Sequence, residues 1–210
     1  MNKIFKVIWN NAKHCYVVAS ELAKGYSRGG GSRTIRRAMV TLGVVAAVYV
    51  AAGSVLAANS GGHLDGNNYI GDSPYNVTIN SDVNGYVYGH KENSEKVEEA
   101  SVTMTGGTVN WAVGGYSNLD EALNNSVNIS DVTIGYDVYG GYSPSVNAAS
   151  NSVSINGETT VRDVYGGFSQ FGKAVSNSVN ISSGTVNWAI GGYSDLDEVQ
   201  NNSVNIMTEP

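Results

Sequence analysis

The sequence is poor in the residues that cross-link a chain or build a catalytic triad. Its 210 residues include one cysteine, three prolines and three histidines. The single cysteine, Cys15, excludes a disulfide within the chain. After residue 57 the histidines are His63 and His90 alone, and no Ser-His-Asp pattern is visible around them. The sequence therefore gives no sign of triad chemistry.

Basic side chains are also scarce after residue 57. Residues 58–210 contain four Lys and Arg against seventeen Asp and Glu, a net charge of −13. Residues 1–57 carry the other eight basic side chains and one acid, Glu21. A strongly negative surface argues against nucleic acid or anionic lipid as a partner of the longer part, and a solvated acidic surface is the simpler interpretation.

The chain is rich in residues that favour turns and strands. It has 26 glycines and 13 tyrosines, and only 14% of its residues are charged. Such a composition supplies many turns and few strong helix formers. We therefore expect an all-β chain after the N-terminal segments.

An uncharged apolar run extends from Ala38 to Ala58. Its length suits a membrane-spanning helix. The basic "SRTIRR" before it and the small residues at its end are typical of a Sec-type signal peptide instead. Val55 and Ala57 fit the −3 and −1 positions of a cleavage site, and Leu56 with Ala58 offers a second site one residue later. Cleaved signal and uncleaved anchor both remain open on these residues alone.

The first thirty-one residues precede the basic part of this signal. Their apolar residues recur at helical spacing, which predicts an amphipathic helix whose lysines can contact anionic headgroups, with a small packed helix as the alternative. The apolar positions are Phe5, Ile8, Trp9, Ala12, Tyr16, Ala19 and Leu22.

Two stretches of this segment, "MNKIFKVIWN" and "CYVVASELAKG", resemble the extended signal peptide region of large type V secretion proteins of Gram-negative bacteria. The positions that match the pattern are Trp9, Asn10, Ser20, Glu21 and Leu22. In that family the extension precedes a Sec-type signal peptide and modulates passage through the inner membrane. The resemblance implies an exported autotransporter or related adhesin and favours cleavage near Ala57 and Ala58. It also implies the Sec translocon and signal peptidase as partners, with inner-membrane contact only through the signal.

The rest of the chain repeats itself. The first glycines of "VYGH", "AVGGYS", "VYGGYS", "VYGGFS" and "AIGGYS" are separated by 25, 26, 26 and 25 residues. The repeat glycines of the last four units are Gly114, Gly115, Gly140, Gly141, Gly166, Gly167, Gly191 and Gly192. A second anchor keeps the same period through Val77, Val102, Val127, Val153, Val179 and Val204. The chain is therefore an array.

Each repeat contains two short strands, which cannot bury their apolar faces alone. A period in the twenties with glycine turns predicts a parallel β-solenoid, similar to a β-helix, of about six 25–26-residue repeats. In register, the valines form one core column, and Ile129, Ile155, Ile181 and Ile206 form another. The fold class is thus an all-β solenoid preceded by a helical extended signal peptide. The expected segments are 1–31 (extension), 32–57 (signal peptide), 58–74 (linker or cap) and 75–210 (repeats).

Two further columns follow from the period. Asparagines that precede the valine strand can form a hydrogen-bonded ladder or contact a ligand, and a ladder is favoured: Asn125, Asn151, Asn177 and Asn202. Aromatic residues after the double glycine form a stack that covers the edge of the core or contacts sugar: Tyr116, Tyr142, Phe168 and Tyr193.

Acidic clusters recur in two of the repeats. They could bind Ca²⁺ through oxygen ligands or form solvated loops. The clusters are Asp120 and Glu121, and Asp195, Asp197 and Glu198. The intervening repeats "SPSVNAAS" and "SQFGKAVS" lack these acids, which favours the solvated loops, and we expect no metal and no cofactor.

We therefore expect the N-terminal part of an exported autotransporter passenger with a structural or adhesive role and no enzymatic activity, binding a host or cell-surface ligand. Alternatives are a polysaccharide-acting solenoid enzyme and a repeat protein anchored by an uncleaved signal. By the same resemblance, passengers cross the outer membrane through a β-barrel in the same chain or a partner pore. The sequence ends at "NNSVNIMTEP", after the first strand of a sixth repeat, with no room for a barrel. We expect a truncated product that reaches the periplasm, whereas a full-length relative would reach the cell surface.

Overall fold

The computed structural model describes the backbone of residues 5–10 and 15–20 and the complete residues 58–207. The chain divides into two compact units, Met1–Ala47 and Val48–Pro210. Each unit is described by itself.

In the first unit two strands form an antiparallel pair, β1 (Phe5–Asn10) and β2 (Cys15–Ser20). The sequence predicts a helix over these two segments, and the structure corrects this to strands. Both segments are rich in β-branched and aromatic residues, which favour extended backbone and compete with the helical spacing of the apolar positions. Glu21 and Leu22, with the remainder of the predicted helix, lie outside the described residues.

Within residues 58–207, a hairpin is followed by a parallel β-solenoid of about five turns. The hairpin consists of β3 (Gly62–Asp65) and β4 (Asn68–Gly71), which are antiparallel to each other. Three parallel sheets follow along the solenoid, and each turn adds one strand to each sheet, except that one turn adds two strands, β12 (Thr133–Ile134) and β13 (Asp137–Ser143), to the same sheet. The predicted solenoid fold is confirmed.

The core sheet contains six strands: β5 (Asn76–Ile79), β8 (Ser101–Met104), β11 (Ser126–Ser130), β15 (Ser152–Asn156), β18 (Ser178–Ile181) and β21 (Ser203–Ile206). The groove sheet contains the long strands: β6 (Val83–Glu92), β9 (Thr108–Ser117), β12 (Thr133–Ile134) with β13 (Asp137–Ser143), β16 (Thr160–Ser169) and β19 (Thr185–Ser194). The corner sheet contains five two-residue strands: β7 (Val97–Glu98), β10 (Ala122–Leu123), β14 (Ala148–Ala149), β17 (Ala174–Val175) and β20 (Val199–Gln200).

The core sheet keeps the register that the period predicts. Val153 pairs with Val127 on one side and with Val179 on the other. The second column likewise pairs Ile155 with Ile129 and Ile181. The column valines from Val77 to Val179 are fully buried, whereas Val204 in the last turn is 39% exposed. Each buried aliphatic side chain contributes about 1.5 to 3 kcal/mol before the entropy of ordering is counted. The predicted core columns are confirmed.

The two ends of the solenoid differ. At the first turn, β4 pairs in parallel with β6, so the hairpin covers that edge of the groove sheet. At the last turn, the side chains of β21 are exposed, with Ile206 at 65%. Within residues 58–207, no helix is long and apolar enough to span a membrane.

The core assignment predicts losses of stability of very different size at two neighbouring positions. Val153→Asp should lower the free energy of unfolding by roughly 3 to 5 kcal/mol, because it leaves an uncompensated carboxylate between Val127 and Val179. Ser152→Asp, at the half-buried position beside it, should cost less than about 1 kcal/mol. Urea unfolding followed by circular dichroism measures both changes. Equal losses would contradict the inward and outward assignment.

Candidate functional site

A ladder of buried asparagines runs through the bend between the corner sheet and the core sheet. Asn151 donates from Nδ2 to the carbonyl oxygen of Ala122 (2.9 Å) and to Oδ1 of Asn177 (3.1 Å). Its own Oδ1 accepts from the backbone N–H (2.9 Å) and from Nδ2 (3.0 Å) of Asn125. The same pattern continues to Asn202. The predicted ladder is confirmed, and its buried amides are saturated within the protein.

The double glycines give this ladder its space. A Cβ on Gly141 would overlap the carboxamide of Asn151, and a Cβ on Gly140 would overlap the carbonyl oxygen of Gly166. At all eight repeat glycines an added Cβ would come closer than 3.0 Å to backbone or to the asparagine of the same turn. These positions therefore hold glycine because of close packing, even though their φ angles are ordinary.

In the first turn the second glycine and the ladder asparagine are both replaced by other residues. His90 pairs with Gly115 and so occupies the place of the second glycine, while Ala100 occupies the place of the asparagine. The backbone N–H of Ala100 donates to Oδ1 of Asn125, which ends the ladder. The His90 ring stacks on Tyr75 with centroids 3.6 Å apart. A side chain is thus tolerated next to the ladder column where the asparagine is missing.

A serine ladder accompanies the glycines. Ser143 donates from Oγ to the carbonyl oxygen of Asp120 in the preceding turn (2.7 Å) and accepts from the backbone N–H of Val146 (3.1 Å). Equivalent bonds to the preceding turn are made by Ser117, Ser169 and Ser194. The recurrence of serine in "GGYS" is the sequence signal that could have revealed this role.

Aromatic side chains line both sides of the double glycines. The residue before each glycine pair forms the proximal row: Tyr88, Val113, Tyr139, Tyr165 and Ile190. The residue after it forms the distal row: Lys91, Tyr116, Tyr142, Phe168 and Tyr193. Tyr139 and Tyr142 meet edge to face at 5.1 Å and 90° above the glycines, and residues of both rows line one groove. This groove is the aromatic groove.

The distal row is a continuous stack of rings. The centroid of Tyr142 lies 5.4 Å from that of Tyr116 and 4.8 Å from that of Phe168, and Phe168 lies 5.2 Å from Tyr193. The predicted stack is confirmed. Its two interpretations, cover for the core and contact with sugar, are compatible because these rings are half-buried or exposed.

The groove widens near its first turns into a recess of about 320 Å³. The recess is lined by Tyr86, Tyr88, Lys91, Trp111, Val113, Tyr116, Tyr139 and Tyr142. Trp111 is stacked between Tyr86 (4.5 Å) and Tyr136 (4.1 Å), which fixes one wall. The Nζ atom of Lys91 lies 5.0 Å from the Tyr88 ring and 5.9 Å from the Tyr116 ring. This recess cannot be predicted from the period of the sequence, because its lining side chains come from three turns.

Two phenols of the recess, those of Tyr88 and Tyr139, have a raised pKa. Burial raises the pKa of Tyr139 far above its ordinary value, and Asp137, whose Oδ2 accepts from that phenol at 3.2 Å, raises it further. Burial also raises the pKa of Tyr88. Tyr88 and Tyr139 therefore contribute neutral aromatic rings to the recess.

The acidic clusters lie in the loops after the serine ladder and are engaged within the protein. Asp120 accepts the backbone N–H of Glu121 (2.7 Å), and Glu121 accepts from Nδ2 of Asn147 (2.8 Å). In the last turn Asp197 accepts the N–H of Glu198 (2.7 Å). Asp195 accepts from the Tyr193 phenol, and Glu198 pairs with Lys173. Within residues 58–207, no three His, Cys, Asp or Glu side chains form a group that could hold a metal ion.

The two histidines of this part do not meet. His63 lies 2.8 Å from Asp72 Oδ1, and His90 lies 3.1 Å from Glu92 Oε1. In the part of the chain that the structure describes, neither histidine is hydrogen-bonded to a serine hydroxyl.

The buried phenols predict a loss of stability at high pH. The unfolded chain, whose tyrosines titrate near pH 10, releases protons before Tyr139 does in the folded state. The raised pKa therefore gives full stability below about pH 10 and less as the pH rises further. Urea unfolding between pH 8 and 11 should show this decline, and Tyr139→Phe should make it shallower. Tyr136→Phe, at a 41% exposed ring, is the matched control, and an equal decline in both variants would contradict the assignment.

The remaining predicted positions lie in the N-terminal part. Trp9 and Asn10 belong to β1, and Ser20 ends β2. Ala57 lies outside the described residues, and Ala58 is exposed. The cleavage position thus stays a prediction.

Comparison with known proteins gives one match. Residues 1–50 match the family model of the Extended Signal Peptide of Type V secretion system. No curated protein and no solved structure matches the chain. The match covers the motif residues identified in the sequence, and such a signal implies Sec-dependent export. The chain thus carries an extended signal peptide of the type V secretion system, and a parallel β-solenoid follows it.

Proposed function

We propose that this chain is the N-terminal part of an exported type V passenger whose solenoid acts as a structural and adhesive module and not as an enzyme. The observation that carries the proposal is the aromatic groove. The groove belongs to a protein that carries an export signal. Half-buried aromatic rings on a rigid sheet commonly bind ligands, because they lose little side-chain entropy on binding.

The polar groups of the described solenoid support a scaffold role. Its buried asparagines and serines are saturated by other groups of the protein, and no buried side-chain N or O atom in residues 58–207 lacks a partner. Unpaired polar groups in a cleft are a usual sign of catalysis. The polar ladders instead hold neighbouring turns together.

The acids favour the same proposal over the alternative of a polysaccharide-acting enzyme. Asp120 and Asp197 cap backbone N–H groups in their loops. Glu198 forms an ion pair with Lys173 at 2.7 Å. These contacts agree with the interpretation of the clusters as solvated loops.

Three finer expectations stay predictions. They are that the product is truncated, that it remains in the periplasm, and that its signal peptide is removed near Ala57 and Ala58. The anchored alternative depends on the apolar run that starts at Ala38, of which the structure describes only Ala58. Sequencing the N-terminus of the exported chain decides between cleavage and anchoring.

Adhesion is tested with the chain purified after export from a Gram-negative host and coupled to beads. The beads should bind animal or bacterial cells saturably. Tyr116→Ala with Tyr142→Ala should reduce binding at least fivefold, because it opens the distal wall of the groove. Phe171→Ala with Leu196→Ala, at exposed loop positions, should leave binding unchanged.

The same preparation separates adhesion from catalysis. It is incubated with neutral and anionic polysaccharides, with and without Ca²⁺, and new chain ends are measured. Chain cleavage, or cell binding no greater than that of beads carrying an unrelated protein, would contradict the proposal.

A further inference from the structure

The proximal row lacks a ring at two positions, Ile190 in the last turn and Val113 near the first turns. Val113 stands in register between Tyr88 and Tyr139, and Tyr165 follows in the next turn. Val113 is only 3% exposed, so it forms the floor of the recess.

The absence of a ring at Val113 leaves a recess between Tyr139 and Tyr88, which is 6% exposed and stacks on Tyr86 at 5.4 Å. Tyr139 stacks on Tyr165 at 5.1 Å, so one of its faces is covered within the protein. Tyr88 and Tyr139 are two turns apart, which corresponds to roughly 9.6 Å at the ordinary strand spacing of about 4.8 Å. Two van der Waals contacts of about 3.5 to 4.0 Å fit into this distance with one ring between them. The recess therefore has the size of one ring.

The walls of the recess suit a ring that carries hydroxyl groups. Five tyrosines and Trp111 line it, so apolar ring surfaces alternate with phenol and indole hydrogen-bond donors. Lys91 adds an ammonium group at one end and forms no ion pair within residues 58–207. A ring with an apolar face and hydroxyl groups at its rim can pack against the aromatic rings and accept hydrogen bonds from the donors.

A second, polar pocket of about 520 Å³ adjoins the recess. The two share Lys91 and Tyr116. The polar pocket adds acceptor side chains from the hairpin and the first two turns, namely Asp65, Glu92, Asn93 and Asn118. Carboxylate and amide oxygens accept hydrogen bonds from ligand hydroxyls. Both volumes lie in the range of pockets that bind small ligands.

We propose that the recess above Val113 is a binding subsite for one neutral pyranose ring of an oligosaccharide, and that the adjoining polar pocket takes the next ring. The recess covers the C–H face of the first ring, and the acceptors of the polar pocket bind hydroxyls of the second.

Charge selects a neutral sugar over an anionic one. Residues 58–210 carry a net charge of −13, and Asp65 and Glu92 lie in the polar pocket itself. A carboxylate on the second ring would be repelled by these acids at close range. Lys91 acts as a hydrogen-bond donor to a hydroxyl in this arrangement.

This inference rests on the proposed adhesive function and identifies its ligand class. Cellobiose, maltose and lactose are titrated into the exported, purified chain by calorimetry. Digalacturonate, an anionic sugar, and a tryptophan-containing tripeptide are titrated in the same way to represent two other classes of ligand. Val113→Tyr supplies the ring that the row lacks at this position and should weaken sugar binding at least tenfold without lowering the melting temperature. Ile190→Tyr adds a ring to the same row at the last turn, away from the recess, and should change binding less than twofold.

Tyr139→Leu is a second variant, which removes one aromatic face and should also weaken binding at least tenfold. The inference is overturned if none of the three disaccharides binds, if Val113→Tyr and Tyr139→Leu bind like the wild type, or if digalacturonate or the tripeptide binds more tightly. Cell adhesion is measured in parallel on the same proteins. Adhesion that persists in Val113→Tyr overturns the sugar subsite alone, whereas absence of adhesion in the wild type overturns the proposed function.

Discussion

The structure depends on the packing of a buried asparagine against a glycine in every turn. Asn151 makes four hydrogen bonds that join three successive turns, and its carboxamide occupies the space that a side chain on Gly141 would need. Buried amides of this kind are costly when unsatisfied and rigid when saturated. The ladder therefore fixes the spacing of the turns and requires glycine beside it.

The same constraint creates the outer surface. The double glycine has no side chains, so the residues before and after it line one groove, and Tyr139 contacts Tyr142 edge to face above the glycines. The first turn supports this account, because the side chain of His90 occurs where Ala100 replaces the asparagine. A rigid core and a binding surface thus have one cause.

The sequence was sufficient to predict what the period controls. A strand that repeats every 25 or 26 residues must stack Val127 on Val153, and a column such as Asn125 and Asn151 must then lie in register. The period also predicts the aromatic stack from Tyr116 onward.

What depends on local packing could not be predicted. The recess exists because Val113 is smaller than Tyr88 and Tyr139, its neighbours in the proximal row. This difference in size has a meaning only once the two rows are known to line the same groove. The strands at Phe5–Asn10 and Cys15–Ser20 are not predicted, because apolar residues such as Ile8 and Trp9 also fit a helical spacing. Local propensity and periodicity conflicted, and the sequence alone offered no way to rank them.

A double-mutant cycle between Gly141 and Asn151 tests the central claim most directly. Gly141→Ala should lower the free energy of unfolding by about 1 to 3 kcal/mol through overlap with the carboxamide. Asn151→Ala should also destabilise, because the groups it bonds become unsatisfied. If the glycine serves to clear space for the asparagine, the double variant should be about 1 to 3 kcal/mol more stable than the sum of the single changes predicts. Additive losses, within about 0.5 kcal/mol, would contradict the claim that the ladder and the glycine column form one interaction.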